Sequence, residues 1–250
     1  MDNLDTNAKS FFIKLSSNPV EPESQKQVVL SLTPNEKGNE GAEVPLDIAH
    51  TKKIHLIIVS ENLDFFDHQH PEYQASGSYD LSYTFPAGGN YLLFAGYKPT
   101  GSENTTDKLS VSVKGQMKNK VTFSKERLED SEGIFKVQLK PESEMMMTGA
   151  STHMSALIFK NGKQLKPDEL DDYLGAKTHV VMISIKEKAY LHVHPEVVDG
   201  VLELHTSFDI PGLYRVWVQF QYQGKVYVTD FVLNIEQGTG SNGMDNMKNM

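Results

Sequence analysis

The sequence contains no cysteine, and this absence removes several classes of site at once. Without a thiol the chain has no disulfide framework, no thiolate zinc site and no cysteine nucleophile. A blue-copper electron-transfer centre is excluded as well, because it needs a cysteine thiolate. Any metal ion must therefore be held by histidine, carboxylate or methionine.

Basic residues and long apolar runs are also scarce. Lys and Arg number 24 against 33 Asp and Glu, and the net charge of −9 repels phosphate backbones, so we expect no nucleic-acid partner. No run reaches the roughly 18 apolar residues expected of a membrane span, and the first residues, MDNLDTNAKS, contain no apolar stretch typical of a signal peptide. A polar start is also what remains once an export signal has been removed, so these features leave the location open.

What the sequence does contain is an internal repeat. Residues 54–72 read IHLIIVSENLDFFDHQHPE and residues 178–196 read THVVMISIKEKAYLHVHPE, and the two segments align without a gap. Further on, TFPAGGNYLLF (84–94) matches SFDIPGLYRVW (207–217). At 250 residues the chain also exceeds the usual size of one domain. The repeat therefore predicts two related domains.

Short β-branched and aromatic runs separated by turn residues recur about seven times in each half, which predicts an all-β fold of two tandem antiparallel β-sandwich domains. A turn is expected at Asn161-Gly162, and one short helix in KPDELDDYLG, with Pro167 in its first turn and Gly175 at its C-terminal cap. The expected boundaries are a flexible N-terminus at 1–8, a first domain at 9–114, a linker at 115–133, a second domain at 134–237 and a disordered methionine-bearing tail at 238–250.

Each repeat carries three histidines that strand geometry should bring together. If Glu61 and Asn62 form a two-residue hairpin loop, His55 lies directly opposite His68, and His70 shares their face because side chains alternate along a strand. Directly opposed β-carbons are about 5 Å apart, close enough for the imidazoles to bind one ion at about 2 Å each.

The second repeat predicts the same arrangement with different loop residues. With Ile185 and Lys186 as its loop, His179 faces His192 and His194 joins them. Pro71 and Pro195 should end the two hairpins. The glutamates that follow, Glu72 and Glu196, could then fold back as carboxylate ligands or as acceptors that orient an imidazole.

These clusters favour a non-enzymatic protein that binds copper, or else zinc. Imidazole-rich sites suit both ions, and the affinity order of divalent metals favours Cu(II). Two groups of methionines, whose thioethers suit Cu(I), could assist: Met145, Met146 and Met147 near His153 and Met154, and Met244, Met247 and Met250 in the tail. The alternative is that the histidines are structural and that the methionines fill a core or belong to an ordinary tail.

The motifs also carry a family resemblance. IAHTKKIHLIIVSENLDFFDHQHPEY, YLGAKTHVVMISIKEKAYLHVHPE and PGLYRVWVQFQYQGKV resemble tandem immunoglobulin-like or cupredoxin-like domains of exported bacterial proteins, over about 46–102 and 145–237. The resemblance implies an extracytoplasmic location but no function. It also implies a set of hallmark histidines, which are His50, His55, His68 and His70 in the first repeat and His179, His192 and His194 in the second. Leu174 stands where the first repeat has His50, so only the first domain could hold a four-histidine site.

Two other classes of function remain as alternatives. An iron site of two histidines and one carboxylate could use His192, His194 and Glu196, but ligands this close at one strand end give it an awkward geometry, and no catalytic triad or nucleotide-binding pattern is present. The other class is a metal-free extracytoplasmic module that binds protein or glycan. Trp217 points away from the expected core face and would serve such a contact, although we expect a neighbouring domain or a loop to cover it.

Overall fold

A computed structural model describes residues 10–238 of the chain, which divides into two compact units between Val121 and Thr122. This division lies inside the segment expected to be a linker. The expected N-terminal arm and most of the expected tail, with Met244, Met247 and Met250, lie outside the described residues. Across the described part of the chain, no helix is long and apolar enough to cross a membrane.

The first unit is a β-sandwich of two four-stranded antiparallel sheets. Its strands are β1 (Phe11–Asn18), β2 (Gln27–Glu36), β3 (Ile54–Ser60), β4 (Phe66–Gln69), β5 (Glu72–Tyr73), β6 (Tyr79–Thr84), β7 (Gly89–Tyr97) and β8 (Thr105–Val113). One sheet has the order β1-β2-β6-β5 and the other β4-β3-β7-β8. Alternate side chains of both sheets, such as Leu30 and Leu93, fill one apolar core between them.

The second unit repeats this plan with additional short strands. They are β9 (Glu129–Glu132), β10 (Phe135–Pro141), β11 (Met146–Met147), β12 (Ser151–Lys160), β13 (Lys163–Gln164), β14 (Thr178–Ser184), β15 (Tyr190–Val193), β16 (Glu196–Val198), β17 (Val201–Ser207), β18 (Gly212–Tyr222) and β19 (Lys225–Glu236). One sheet has the order β16-β17-β12-β10-β9, with β13 beside β12, and the other has the order β11-β19-β18-β14-β15. All pairs are antiparallel except the two-residue contact of β11 with β19.

The tandem β-sandwich expected from the sequence is confirmed, and all fourteen expected runs form strands. The additional strands β5, β9, β11, β13 and β16 have two to four residues, too few to show an alternating pattern. Strand β9 lies inside the segment 115–133, where it pairs with β10.

The turn at Asn161-Gly162 is confirmed, since both residues have positive φ and connect β12 to β13. The helix expected in KPDELDDYLG is wrong in extent. Only the 3-10 turn Pro167–Glu169 forms, and its cap is Leu170. Gly175 instead belongs to a tight turn between Tyr173 and Ala176.

A buried tyrosine fixes the same corner of both sandwiches. The Tyr91 hydroxyl donates to the Ala87 carbonyl oxygen at 3.0 Å, and the Tyr214 hydroxyl donates to the Ile210 carbonyl oxygen at 2.8 Å. In each case the acceptor lies four residues upstream. This bond resembles the tyrosine corner of immunoglobulin-like sandwiches, and it ties the loop before β7 or β18 to the strand.

Candidate metal centres

Each histidine triad lies on a β-hairpin whose loop is longer than the sequence suggested. In the first unit residues 61–64 form a four-residue loop between β3 and β4, which is closed by the Ser60 amide donating to the Phe65 carbonyl oxygen. The Ser60 hydroxyl accepts from the amides of Asp64 and Phe65, which holds the loop in place. In the second unit the Ser184 hydroxyl accepts from the Ala189 amide in the same way.

The longer loop shifts the hairpin register by two residues. His68 pairs with Ile57 rather than with His55, and the same register continued by two residues places His70 opposite His55. A shift of two leaves every side chain on its expected face, because side chains alternate with period two. The expected pairing of His55 with His68 is therefore wrong, whereas the three imidazoles still share one face.

The second hairpin shows the same shift. His192 pairs with Val181 rather than with His179, and the register continued by two residues places His194 opposite His179. The equal shift means that both triads have one geometry.

The ring nitrogens of the first triad converge on a common point. The His55 Nδ1 atom is 3.2 Å from His68 Nε2 and 3.3 Å from His70 Nε2. Taking one nitrogen from each of the three rings, all lie within 4.8 Å of one another. His55 and His68 are each only 6% exposed. The site is thus a compact, largely desolvated group of three imidazoles.

A backbone carbonyl fixes which nitrogen of His55 faces the cluster. The His55 Nε2–H donates to the Ala49 carbonyl oxygen at 2.9 Å. A carbonyl oxygen can only accept, so Nε2 carries the proton and Nδ1 of the neutral ring has its lone pair directed at the other two histidines. Burial lowers the pKa of His55, which favours this neutral form, although the bond to Ala49 partly offsets the effect.

The second triad repeats these contacts. The His179 Nδ1 atom is 3.4 Å from His192 Nε2, and the His179 Nε2–H donates to the Tyr173 carbonyl oxygen at 2.8 Å. The ring centroid of His194 lies 4.7 Å from that of His179 and 4.5 Å from that of His192. His179 is fully buried. The Tyr173 ring packs edge-on against His179. The first site has no such ring contact from this position, because Ala49 stands there.

Both orienting carbonyls come from the same kind of tight turn, which the sequence analysis missed. The turn Ala49–Lys52 has positive φ at His50 and Thr51, and the turn from Tyr173 to Ala176 has positive φ at Leu174 and Gly175. Two successive positive φ values define a type I′ turn. The one signal in the sequence was Gly175, whereas Thr51 is a residue type that rarely adopts this conformation.

Three of the residues expected as candidate ligands lie outside the two triads. Glu72 and Glu196 are exposed and begin β5 and β16, which belong to the opposite sheet of each sandwich. His50 is exposed in its turn, with its ring centroid 6.2 Å from that of His55, and it lies outside the converging group. Among the described residues, the groups of three or more potential ligands are these two triads.

The methionines and the tryptophan also have defined places. Met146 and Met154 belong to the apolar core of the second unit, and Met145 is exposed. Trp217 is on the outer face of β18, as expected, and is only 3% exposed. The Arg215 guanidinium lies 3.9 Å from the Phe123 ring centroid and 5.2 Å from that of Trp217, so the segment before β9 contributes to covering this face.

Residues 6–115 and residues 129–237 each match the model of one family, described as "Domain of unknown function (DUF8832)". A search of curated proteins finds no match. Among solved structures, the Escherichia coli adhesin FdeC is 12% identical with a TM-score of 0.28, and the alignment covers 89% of this chain and 63% of that chain.

A segment of two fibronectin type III domains from chicken tenascin is 15% identical with a TM-score of 0.25, covering 90% of this chain and 99% of that one. A putative membrane anchored protein from Corynebacterium diphtheriae is 11% identical with a TM-score of 0.27, covering 91% and 57%. The chain thus spans less than two thirds of the adhesin and of the Corynebacterium protein. Similarity at this level assigns nothing further to this chain.

Proposed function

The chain belongs to the DUF8832 family, with one copy in each half, and from the triad that each copy carries we propose that it is a non-enzymatic metal-binding protein. Each domain holds one divalent transition-metal ion, Cu(II) ahead of Zn(II). The ligands are His55, His68 and His70 in the first domain and His179, His192 and His194 in the second.

The separation of the ring nitrogens carries this proposal. Ligand nitrogens about 2.0–2.1 Å from a tetrahedral ion lie about 3.3 Å from each other. The measured separations in the triads are 3.2, 3.3 and 3.4 Å. The single lone pair of His55 Nδ1 is approached by two Nε2 atoms, and it can align well with only one N–H at a time. An ion at the common point satisfies all three nitrogens at once.

The orienting carbonyls support the same conclusion. Histidines that bind metals usually donate their other ring N–H to a carboxylate, a carbonyl or water, which fixes the tautomer and makes the ring a better ligand. His55 and His179 both donate to a backbone carbonyl oxygen in this way.

Separations near 3.3 Å fit a tetrahedral ion, which is the geometry of Zn(II), but the affinity order of divalent ions favours Cu(II). Three imidazoles without a thiolate suit Cu(II), Zn(II) and Ni(II), and Cu(II) binds most tightly among divalent first-row ions at a given site. The net charge of −9 raises the local concentration of cations around the chain. The methionine thioethers of Met146 and Met154 are buried in the core, so we propose no role for them as ligands.

Burial of the ligands supports binding without catalysis. Three of the six ligands, His55, His68 and His179, are each 6% exposed or less and the other three are half-buried, which limits the access of a substrate to the ion. We further propose an extracytoplasmic location, which rests on the resemblance of the histidine motifs to those of exported bacterial domains. The competing function is a metal-free interaction module for protein or glycan, and the same experiment decides between them.

The test is calorimetric titration of the metal-free protein with Cu(II) and with Zn(II). The double variants His68→Ala/His70→Ala and His192→Ala/His194→Ala should each lose the ion of one domain and keep that of the other, because the two triads are in separate domains. Glu72→Gln is the matched control: it neutralises a nearby carboxylate that lies outside the triad, and binding should be unchanged.

The pH dependence gives a second readout. Protons compete with the metal for each imidazole, so affinity should fall as the pH drops below about 6.5. If the wild type takes up no more of either ion than each double variant does, the triads are structural, and the interaction module becomes the better hypothesis.

A further inference from the structure

Three of the nine histidines belong to neither triad: His50 lies in its turn in the first domain, and the other two face each other in the second domain. His153 on β12 pairs directly with His205 on β17 in the antiparallel register. Their ring centroids are 4.5 Å apart, with the ring planes at 87°. Core residues such as Met154 and Leu204 alternate with them, so both rings point to the outer face of this sheet, opposite its core face.

The internal repeat shows that the fold does not require histidine at these positions. Val29 lies seven residues before the end of β2, as His153 does in β12, and in the first domain Val29 pairs directly with Ser82. The first domain therefore places an aliphatic residue and a hydroxyl at the same two positions of the same sheet. The histidine pair is a feature of the second domain alone.

The surroundings of the pair are polar, accessible and acidic. His205 is exposed and His153 is half-buried. The Ser151 hydroxyl lies 3.0 Å from His153 Nε2, and since a hydroxyl can donate or accept, it orients the ring in either tautomer. Glu203 lies two residues before His205 and pairs with Glu196 on the neighbouring strand β16, which places two carboxylates on the same face of the sheet as the rings.

We propose that His153 and His205 form a third metal site, separate from the triads, which binds Cu(II) from solution. Directly opposed β-carbons about 4.5–5.5 Å apart allow two imidazole nitrogens to reach one ion at about 2 Å each. Water completes the coordination because the face is open, and the neighbouring carboxylates attract the cation. With two protein ligands in place of three, the ion binds more weakly and exchanges faster than at a triad.

The test replaces the pair by its counterparts from the first domain. The full-length variant His153→Val/His205→Ser is compared with the wild type by Cu(II) titration, using calorimetry and the line broadening that Cu(II) causes in the backbone amide signals of residues 151–155 and 203–207. The wild type should take up one more ion than the variant, in the weaker phase of binding, and broadening of these signals should be lost in the variant. The single variant His205→Ser, which changes an exposed side chain, repeats the test should the double variant unfold.

The outcome is independent of the triads. If the triads bind no metal, the wild type still takes up one ion that the variant does not. Equal uptake and equal broadening in the wild type and in a folded variant would overturn the proposal.

Discussion

Replacing Thr51 by glycine should stabilise the first domain without weakening the metal site proposed for it. Thr51 has a φ of 69°, in the left-handed region that side chains branched at Cβ strongly disfavour. The second domain solves the same problem with Gly175, at a φ of 78°. Thr51 is exposed, so its removal costs no core packing.

The expected gain follows from two opposing contributions. A residue other than glycine in the left-handed region costs about 1–2 kcal/mol, and this strain is released. Glycine gives the unfolded chain more freedom, which costs about 0.4–1 kcal/mol. The net stabilisation is about 0.5–1 kcal/mol, which raises the Tm of a domain of this size by about 2–6 °C. The Ala49 carbonyl oxygen stays in place, so Cu(II) affinity should stay within about twofold of the wild type.

Differential scanning calorimetry of the metal-free protein measures the Tm of the first domain. Tryptophan fluorescence cannot be used for this, because the single tryptophan, Trp217, is in the second domain. The matched reverse variant is Gly175→Thr, which should destabilise the second domain by about the same amount and can be followed by Trp217 fluorescence. If Thr51→Gly lowers the Tm of the first domain, or if Gly175→Thr leaves the second unchanged, the turns are not strained as argued.

Three other outcomes are expected. Removing the corner hydroxyl in Tyr214→Phe should cost the second domain about 1–2 kcal/mol in urea unfolding, because the Ile210 carbonyl loses its donor; no change would mean that water replaces the bond. Burial, reinforced by the charge of Asp107, raises the pKa of Tyr97 above its usual 10, so the folded state keeps a proton that the unfolded state loses. The contribution of Tyr97 to the free energy of unfolding is therefore present below pH 10 and is lost as the pH rises above it. In Tyr97→Phe, the fall in stability between about pH 9 and 11 should be less steep. Cu(II) at 100 times its Kd should raise the unfolding free energy of each domain by about 2.7 kcal/mol; an unchanged thermal midpoint in wild type would count against the triads.

The sequence was sufficient to predict the faces of the histidines but not their register. Alternation depends only on whether a position is odd or even, and a loop of four residues instead of two preserves that parity. The loop length depended on the hydroxyls of Ser60 and Ser184, which bond to loop amides in competition with a tighter turn. Both serines end an apolar strand, and that position was the available signal.

Other features depend on contacts between segments far apart in the chain. Pro71 and Pro195 were expected to end the hairpins, and they do, but each leads directly into a strand of the opposite sheet, so Glu72 and Glu196 belong to that sheet and not to the triads. Trp217 shows the same limitation, because its burial involves Arg215, which packs against a phenylalanine from before β9. A single sequence contains no direct sign of such pairings.

Each triad, together with the carbonyl that orients it, comes from one short stretch of chain, residues 49–70 or 173–194. Closing so short a loop costs little chain entropy, and a hairpin forms in about 1–10 μs, well before the long-range pairing that completes a β-sandwich. In chain order these residues also precede β7 and β8, or β18 and β19, which complete the same sheets. If the triads bind metal as proposed, each ion stabilises this hairpin before the later strands of its sheet have paired, so it acts on folding as well as on the folded domain.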